Sequence, residues 1–98
     1  MNYEDQKLKI NATSGRLELE IDGNTAFIEY KLSEPKLFLI HTEVPTALEG
    51  KGVGKAIVQK ALEYARDNEF KVVPRCTFVQ SYLKRHKEWN DIIASSGE

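Results

Sequence analysis

The sequence has a single cysteine, Cys76, among its 98 residues, so no internal disulfide can form. That fits a reducing compartment and sets the expectation of a cytoplasmic protein. It also lacks a basic excess. Lys and Arg total 14 against 15 Asp and Glu, a net charge of −1. A dedicated nucleic-acid or anionic-membrane binder usually shows the opposite balance, so neither partner is expected. No apolar run approaches the roughly 20 residues of a membrane-spanning helix. The opening MNYEDQKLKI carries acidic residues early and no apolar run, unlike a secretory signal. There is no repeat and no low-complexity segment, and no pair of Cys or His residues has metal-ligand spacing, so no metal site is expected. What is present is an ordinary globular balance, 41% hydrophobic and 30% charged. The length fits one domain over 1–98, with a core of about 7–92 and a flexible tail over 93–98.

Residues 7–11 suit a short strand. In 16–22, RLELEID, Leu17, Leu19 and Ile21 alternate with Glu18 and Glu20, the period of a half-buried strand. Asp22-Gly23-Asn24 then signals a turn, and 25–32 forms the partner strand of a β-hairpin. Ala26, Ile28, Tyr30 and Leu32 share one of its faces. Ser33 to Lys36 reads as a second turn. The apolar run LFLIHTEV, 37–44, lies between Pro35 and Pro45 and suits a central strand. From Val53 to Phe70 the period changes. Val53, Ala56, Ile57, Ala61, Leu62, Tyr64 and Ala65 fall at the three- and four-residue steps of an amphipathic helix. Lys71-Val72-Val73 starts another strand, and a second helix is expected over about 79–89. The order β-β-β-β-α-β-α gives an α+β fold: a mixed, mostly antiparallel sheet whose one βαβ-like unit joins parallel neighbours.

Between the fourth strand and the first helix stands Glu49–Ala56, EGKGVGKA. A strand, a glycine turn and a helix N-terminus together make an anion site. The first amides of a helix lack intrahelical partners, and the helix dipole is positive there. Two well-known phosphate loops are excluded by spacing. A P-loop needs four residues between its glycines and a hydroxyl after the lysine, whereas here three residues separate Gly50 from Gly54 and Ala56 follows Lys55. A dinucleotide fingerprint needs G-x-G-x-x-G after a strand of a βαβ unit, and Gly50-x-Gly52-x-Gly54 falls one residue short.

The stretch HTEVPTALEGKGVGKAIVQKAL instead resembles the acyl-CoA-binding segment of the GNAT acetyltransferase superfamily, whose signature is Gln/Arg-x-x-Gly-x-Gly/Ala. Here it reads Glu49-x-x-Gly52-x-Gly54, with Val44 before it, and Glu49 is the departure. HTEVP, GKGVGKA and VVPRCTFVQSYLKRH, in that order over roughly 16–89, resemble the minimal single-domain members of that superfamily, which lack the N-terminal helices of the full-size fold. The resemblance implies a truncated GNAT fold. It also implies a coenzyme A pyrophosphate held by the loop, with Val44, Gly50, Lys51, Gly52, Val53, Gly54 and Lys55 as binding residues. The expected cofactor is acetyl-CoA or coenzyme A.

In that fold the two parallel strands splay and the pantetheine arm enters the gap, which would bring Cys76 near the thioester. A cysteine thiolate attacks thioesters well, so Cys76 is a candidate acyl carrier, with His41 a candidate base. Direct transfer would instead use Glu43 or water as base and Tyr82 as acid. Each has a plain alternative: packing for Cys76, a structural hydrogen bond for His41, a solvated carboxylate for Glu43, a core ring for Tyr82. Lys84, Arg85, His86 and Lys87 could meet a 3′-phosphate or form a solvated face, and Trp89 packs the second helix on the sheet. The function expected is acetyl transfer from acetyl-CoA to an amine of unknown identity, a small molecule or a protein lysine. The alternatives are a coenzyme A-binding sensor without turnover, and an interaction module whose glycine loop is only a turn.

Overall fold

The computed structural model describes residues 3–94. Five strands lie side by side in chain order: β1 (Lys9–Asn11), β2 (Arg16–Ile21), β3 (Asn24–Ser33), β4 (Lys36–Glu43) and β5 (Lys71–Pro74). The first four pair antiparallel, and β5 runs parallel to β4. This is the α+β mixed sheet that the sequence pattern implies. The β2–β3 turn is the short type I′ kind, with Asp22 and Gly23 both at positive φ (52° and 79°), which matches the twist of the strands it joins. The β3–β4 turn passes through Glu34–Pro35, whose peptide bond is cis.

Helix α1 (Val53–Asp67) connects β4 to β5 and buries Val53, Ile57, Val58, Ala61, Leu62 and Ala65. Those side chains meet Leu17, Leu19, Ile28, Leu37, Leu39 and Val72 from the sheet in one cluster. On the opposite sheet face Phe27 and Phe38 are half-buried, with the Arg16 guanidinium 3.9 Å and the Arg75 guanidinium 5.8 Å from their ring centroids. Helix α1 stops at Asp67 and Asn68 caps it, in agreement with Asn68-Glu69 as the signal for its end. Glu69 takes a left-handed φ of 60°, and the amides of Glu69 and Phe70 donate back to the carbonyls of Arg66 (3.1 Å) and Ala65 (2.8 Å). This is the reciprocal pair of bonds that closes a helix C-terminus. Glycine normally fills that position, because a left-handed residue with a Cβ costs about 1–2 kcal/mol. Glu69→Gly is therefore expected to raise the unfolding free energy by roughly 0.5–1 kcal/mol in urea titrations, with an unchanged m value.

The second helix, α2 (Thr77–Arg85), starts two residues before the expected Val79. The remainder, Lys87–Ile92, is a 3-10 segment. Trp89 and Ile92 stand three residues apart, and the tighter 3-10 period puts both on the same side, where both are buried. Arg66 of α1 ties this segment down: it covers the Trp89 ring at 4.3 Å and reaches Asp91 Oδ1 at 2.6 Å. Part of the expected flexible tail is anchored. Ala94 N–H donates to the Val72 carbonyl at 2.8 Å, and Ile93 bridges to Val72. Residues 95–98 lie outside the described residues.

Candidate functional site

Pairing between β4 and β5 ends at Leu39 with Pro74, while β4 continues to Glu43. Residues 40–43 therefore have no β5 partner, and the two parallel strands part at their C-terminal ends. The Leu39 carbonyl closes the crotch of this split, accepting from Arg75 N–H (2.9 Å) and Cys76 N–H (3.0 Å). Just above it, the β3–β4 register shifts. Glu29 pairs with His41 but Tyr30 pairs with Leu39, so Ile40 is an extra residue on β4. Such a bulge reverses the facing of everything beyond it. Leu37 and Leu39 point into the core, but beyond the bulge Thr42, opposite Ile28, takes the core side. His41 and Glu43 are turned to the other face.

In front of the split lies a cleft of about 350 Å³, lined by Thr42 and Val44 from β4, Leu48 to Gly50 and Gly52 to Lys55 from the loop and α1, and Phe78 from α2. Gly52 is the N-cap of α1 at φ 75°, and no side chain caps the helix. The first intrahelical bond runs from Ala56 N–H to the Gly52 carbonyl (3.1 Å). The amides of Val53, Gly54 and Lys55 are thus left without intrahelical partners at the positive end of the helix dipole. Of the residues expected to bind a cofactor, Val44, Gly50, Gly52, Val53, Gly54 and Lys55 line this cleft, and Lys51 does not. Glu49 lines it too, placing one carboxylate at the rim. Gly52 and Lys55 also border a neighbouring groove of about 470 Å³ along α1, with Tyr3, Gln59, Lys60 and Glu63.

The Lys51 carbonyl accepts a 2.8 Å hydrogen bond from the Tyr3 hydroxyl, and Tyr3 is buried. The chain's first described residue therefore braces the glycine turn from 48 positions away. A net protein hydrogen bond contributes about 1 kcal/mol. Tyr3→Phe is expected to leave the fold intact and weaken any anion held by the turn by roughly fivefold, read by calorimetric titration.

Cys76 caps α2 at the end of β5. Its sulfur lies 3.4 Å from Thr42 Oγ1 and is buried. Burial pushes the thiol up, but the Thr42 hydroxyl and the nearby amides of Val79, Phe78 and Thr42 outweigh it, and the net direction is down from the ordinary thiol value. No side-chain hydrogen bond caps α2, so the Val79 and Phe78 amides act as dipoles of the helix start, and the Thr42 amide adds to them from β4. The α1 and α2 N-termini thus converge on one cleft.

The other expected catalytic side chains stand elsewhere. His41 Nε2 is 2.9 Å from Glu43 Oε1, both more than half exposed, on the sheet face away from Cys76. Tyr82 is buried, with its ring stacked 4.1 Å from that of His86. Burial first and then the Glu88 carboxylate push its hydroxyl up, a hydrogen bond with Trp89 pulls against them, and Glu63 adds the smallest push. Tyr82 does not line the cleft, and the Lys84–Lys87 cluster sits at the opposite end of α2 from Cys76. Thr42, Phe78 and Tyr3 are the residues that sequence reasoning passed over. A bulge hid Thr42, and no periodic signal marks the other two. Among the described residues no three His, Cys, Asp or Glu side chains gather to hold a metal, and no helix is long and apolar enough to cross a membrane.

The family model of the GCN5-related N-acetyl-transferase matches residues 16–92. A GCN5-like protein from Staphylococcus aureus, solved by solution NMR, superposes with a TM-score of 0.66 at 27% identity, over 91% of this chain and 90% of that one. Protein NATD1 of Gallus gallus and of Mus musculus are each 35% identical over 48 residues, 49% of this chain and 44% of theirs. The matched stretch thus spans less than half the length of these curated relatives. The fold and the glycine turn define a small domain of the GNAT type. The chain belongs to the GCN5-related N-acetyltransferase family, and its Tyr3 brace lies outside the span that the family model covers.

Proposed function

We propose that the cleft binds acetyl-CoA and that the acetyl group passes through Cys76 to an amine. The observation that carries this reading is the convergence of two helix N-termini on one cleft. One offers free amides on a glycine turn, and the other holds Cys76 behind Thr42, a sulfur whose anion is favoured. The α1 amides and Lys55 would hold the pyrophosphate, and the split between β4 and β5 would admit the pantetheine arm.

The Cys76 thiolate attacks the thioester carbonyl carbon, forming a C–Sγ bond and an oxyanion in the field of the helix dipoles. The oxyanion collapses, the C–S bond to coenzyme A breaks, and coenzyme A leaves as a thiolate that takes a proton from solvent. An unprotonated amine then attacks the acyl-cysteine. Its N–C bond forms, the C–Sγ bond breaks, and the amine gives up a proton as the amide appears. Water is the group that receives that proton, because His41 and Glu43 stand on the sheet face away from Cys76.

Calorimetric titration with coenzyme A and with acetyl-CoA tests the first step. Micromolar binding is expected, and absence of binding by folded protein overturns the reading. The burial of Cys76, only 6% exposed, favours a second reading: a coenzyme A-binding module without turnover. Acetyl transfer to a peptide lysine, a terminal amine or a polyamine excludes it.

A further inference from the structure

Two side chains of the cleft wall lie close to Cys76: Thr42, 3.4 Å from its sulfur, and Phe78, two residues on in the first turn of α2. Thr42 and Phe78 line the cleft, while Cys76 lies one layer behind Thr42 and does not. Phe78 is unusual for a large aromatic ring in a small domain, being 43% exposed. Its seat is Gly54. A Cβ built on Gly54 would fall 2.8 Å from Phe78 Cζ, closer than real Cβ atoms approach, and a tight 3.2 Å from Cε2. Gly54 is not at positive φ, unlike Gly50 and Gly52, so its backbone does not demand glycine. What it provides is room, and in this structure the Phe78 ring fills it. The ring thus spans from the first turn of α2 to the first turn of α1, on the cleft wall it shares with Thr42, the side chain in contact with the sulfur.

We infer that Phe78 is a gate between the cleft and the Cys76 thiol, closed when its ring rests on the bare Cα of Gly54. This rests on the reading of the cleft as the acyl-donor site. A ligand anion drawn to the Gly54 amide competes with the ring for the same surface, so filling the cradle lifts the ring. A half-exposed ring swings out at little cost, because little of its apolar surface is withdrawn from packing. Without a donor, the thiol stays covered from solvent electrophiles.

Alkylation of Cys76 by iodoacetamide, followed by intact mass across pH, tests the gate without coenzyme A. The plateau rate at high pH reports access, and the midpoint reports the thiol's acidity. Phe78→Ala removes the gate and Gly54→Ala removes its seat. Each is expected to raise the plateau about tenfold or more, equivalent to roughly 1.4 kcal/mol of easier access. Ser81→Ala, exposed on the same helix, is expected to alkylate at the wild-type rate. A wild-type plateau in Phe78→Ala or in Gly54→Ala overturns the gate. So does a shifted midpoint with an unchanged plateau, or an equal acceleration in Ser81→Ala, which would mark fraying of α2. A failed gate leaves coenzyme A binding untouched, and a failure to bind coenzyme A leaves the alkylation result untouched.

Discussion

Gly52→Val is expected to abolish coenzyme A binding in calorimetric titration while lowering folding stability by only about 1–2 kcal/mol. Gly52 sits at φ 75° as the N-cap of α1. A left-handed conformation is strained for any residue with a Cβ and most of all for a β-branched one. Valine relieves the strain by rotating the turn, and the amides of residues 53–55 rotate with it. Each amide–anion hydrogen bond contributes about 1.5–3 kcal/mol, so losing the aim of two of them weakens binding by a factor of roughly a hundred or more. The stability cost stays small because Gly52 is exposed and nothing stands within 4 Å of where its Cβ would go. Retained affinity in a folded Gly52→Val protein would show that the turn is not the cradle. Gly54→Val makes a poorer test of the cradle, since its Cβ acts on the Phe78 ring and confounds the anion site with the gate.

How far the site was legible in the sequence follows from which interactions are local. The alternation in RLELEID, the Asp22-Gly23 turn and the 3.6 period after Gly52 are set within a few residues, and each appears where the pattern put it. The glycine turn is equally local, and six of its seven expected binding residues line the cleft. The β4 bulge is not local. It arises from how β3 and β4 pair, so a run such as LFLIHTEV cannot announce that parity reverses at Ile40. This is why Thr42 rather than His41 faces the Cys76 sulfur. The contacts of Tyr3 with Lys51 and Phe78 with Gly54 cross 48 and 24 positions with no repeating pattern to mark them. The α2 boundary fails for a related reason. Trp89 and Ile92 fit a helical period, but burying both against Arg66 and α1 selects the 3-10 form.

Cys76→Ala is expected to retain coenzyme A affinity near the wild-type value and to lose acetyl transfer by about a hundredfold or more. Affinity survives because Cys76 does not line the cleft that the α1 amides border. Transfer fails because the acyl group has lost its acceptor sulfur. Intact mass after acetyl-CoA treatment should show one acetyl group on the wild-type chain and none on the variant. Unchanged transfer by Cys76→Ala would exclude the covalent route and return the chemistry to direct attack by the amine. The pH dependence adds a second, independent readout. The net environment of Cys76 lowers the thiol below its ordinary value. Acyl-cysteine formation should therefore rise with pH and level off at a midpoint below that of a free thiol. The same shift enters folding stability with a definite sign. Between the folded and unfolded values the unfolded chain binds more protons, so stability rises with pH. That increment is fully present above the unfolded thiol value and is lost as pH falls through the folded one. Urea unfolding of wild type and Cys76→Ala should then diverge as the pH is raised into the alkaline range, wild type gaining. Parallel curves would mean that the sulfur is not held as an anion, and Cys76 would then be a buried packing residue behind Thr42.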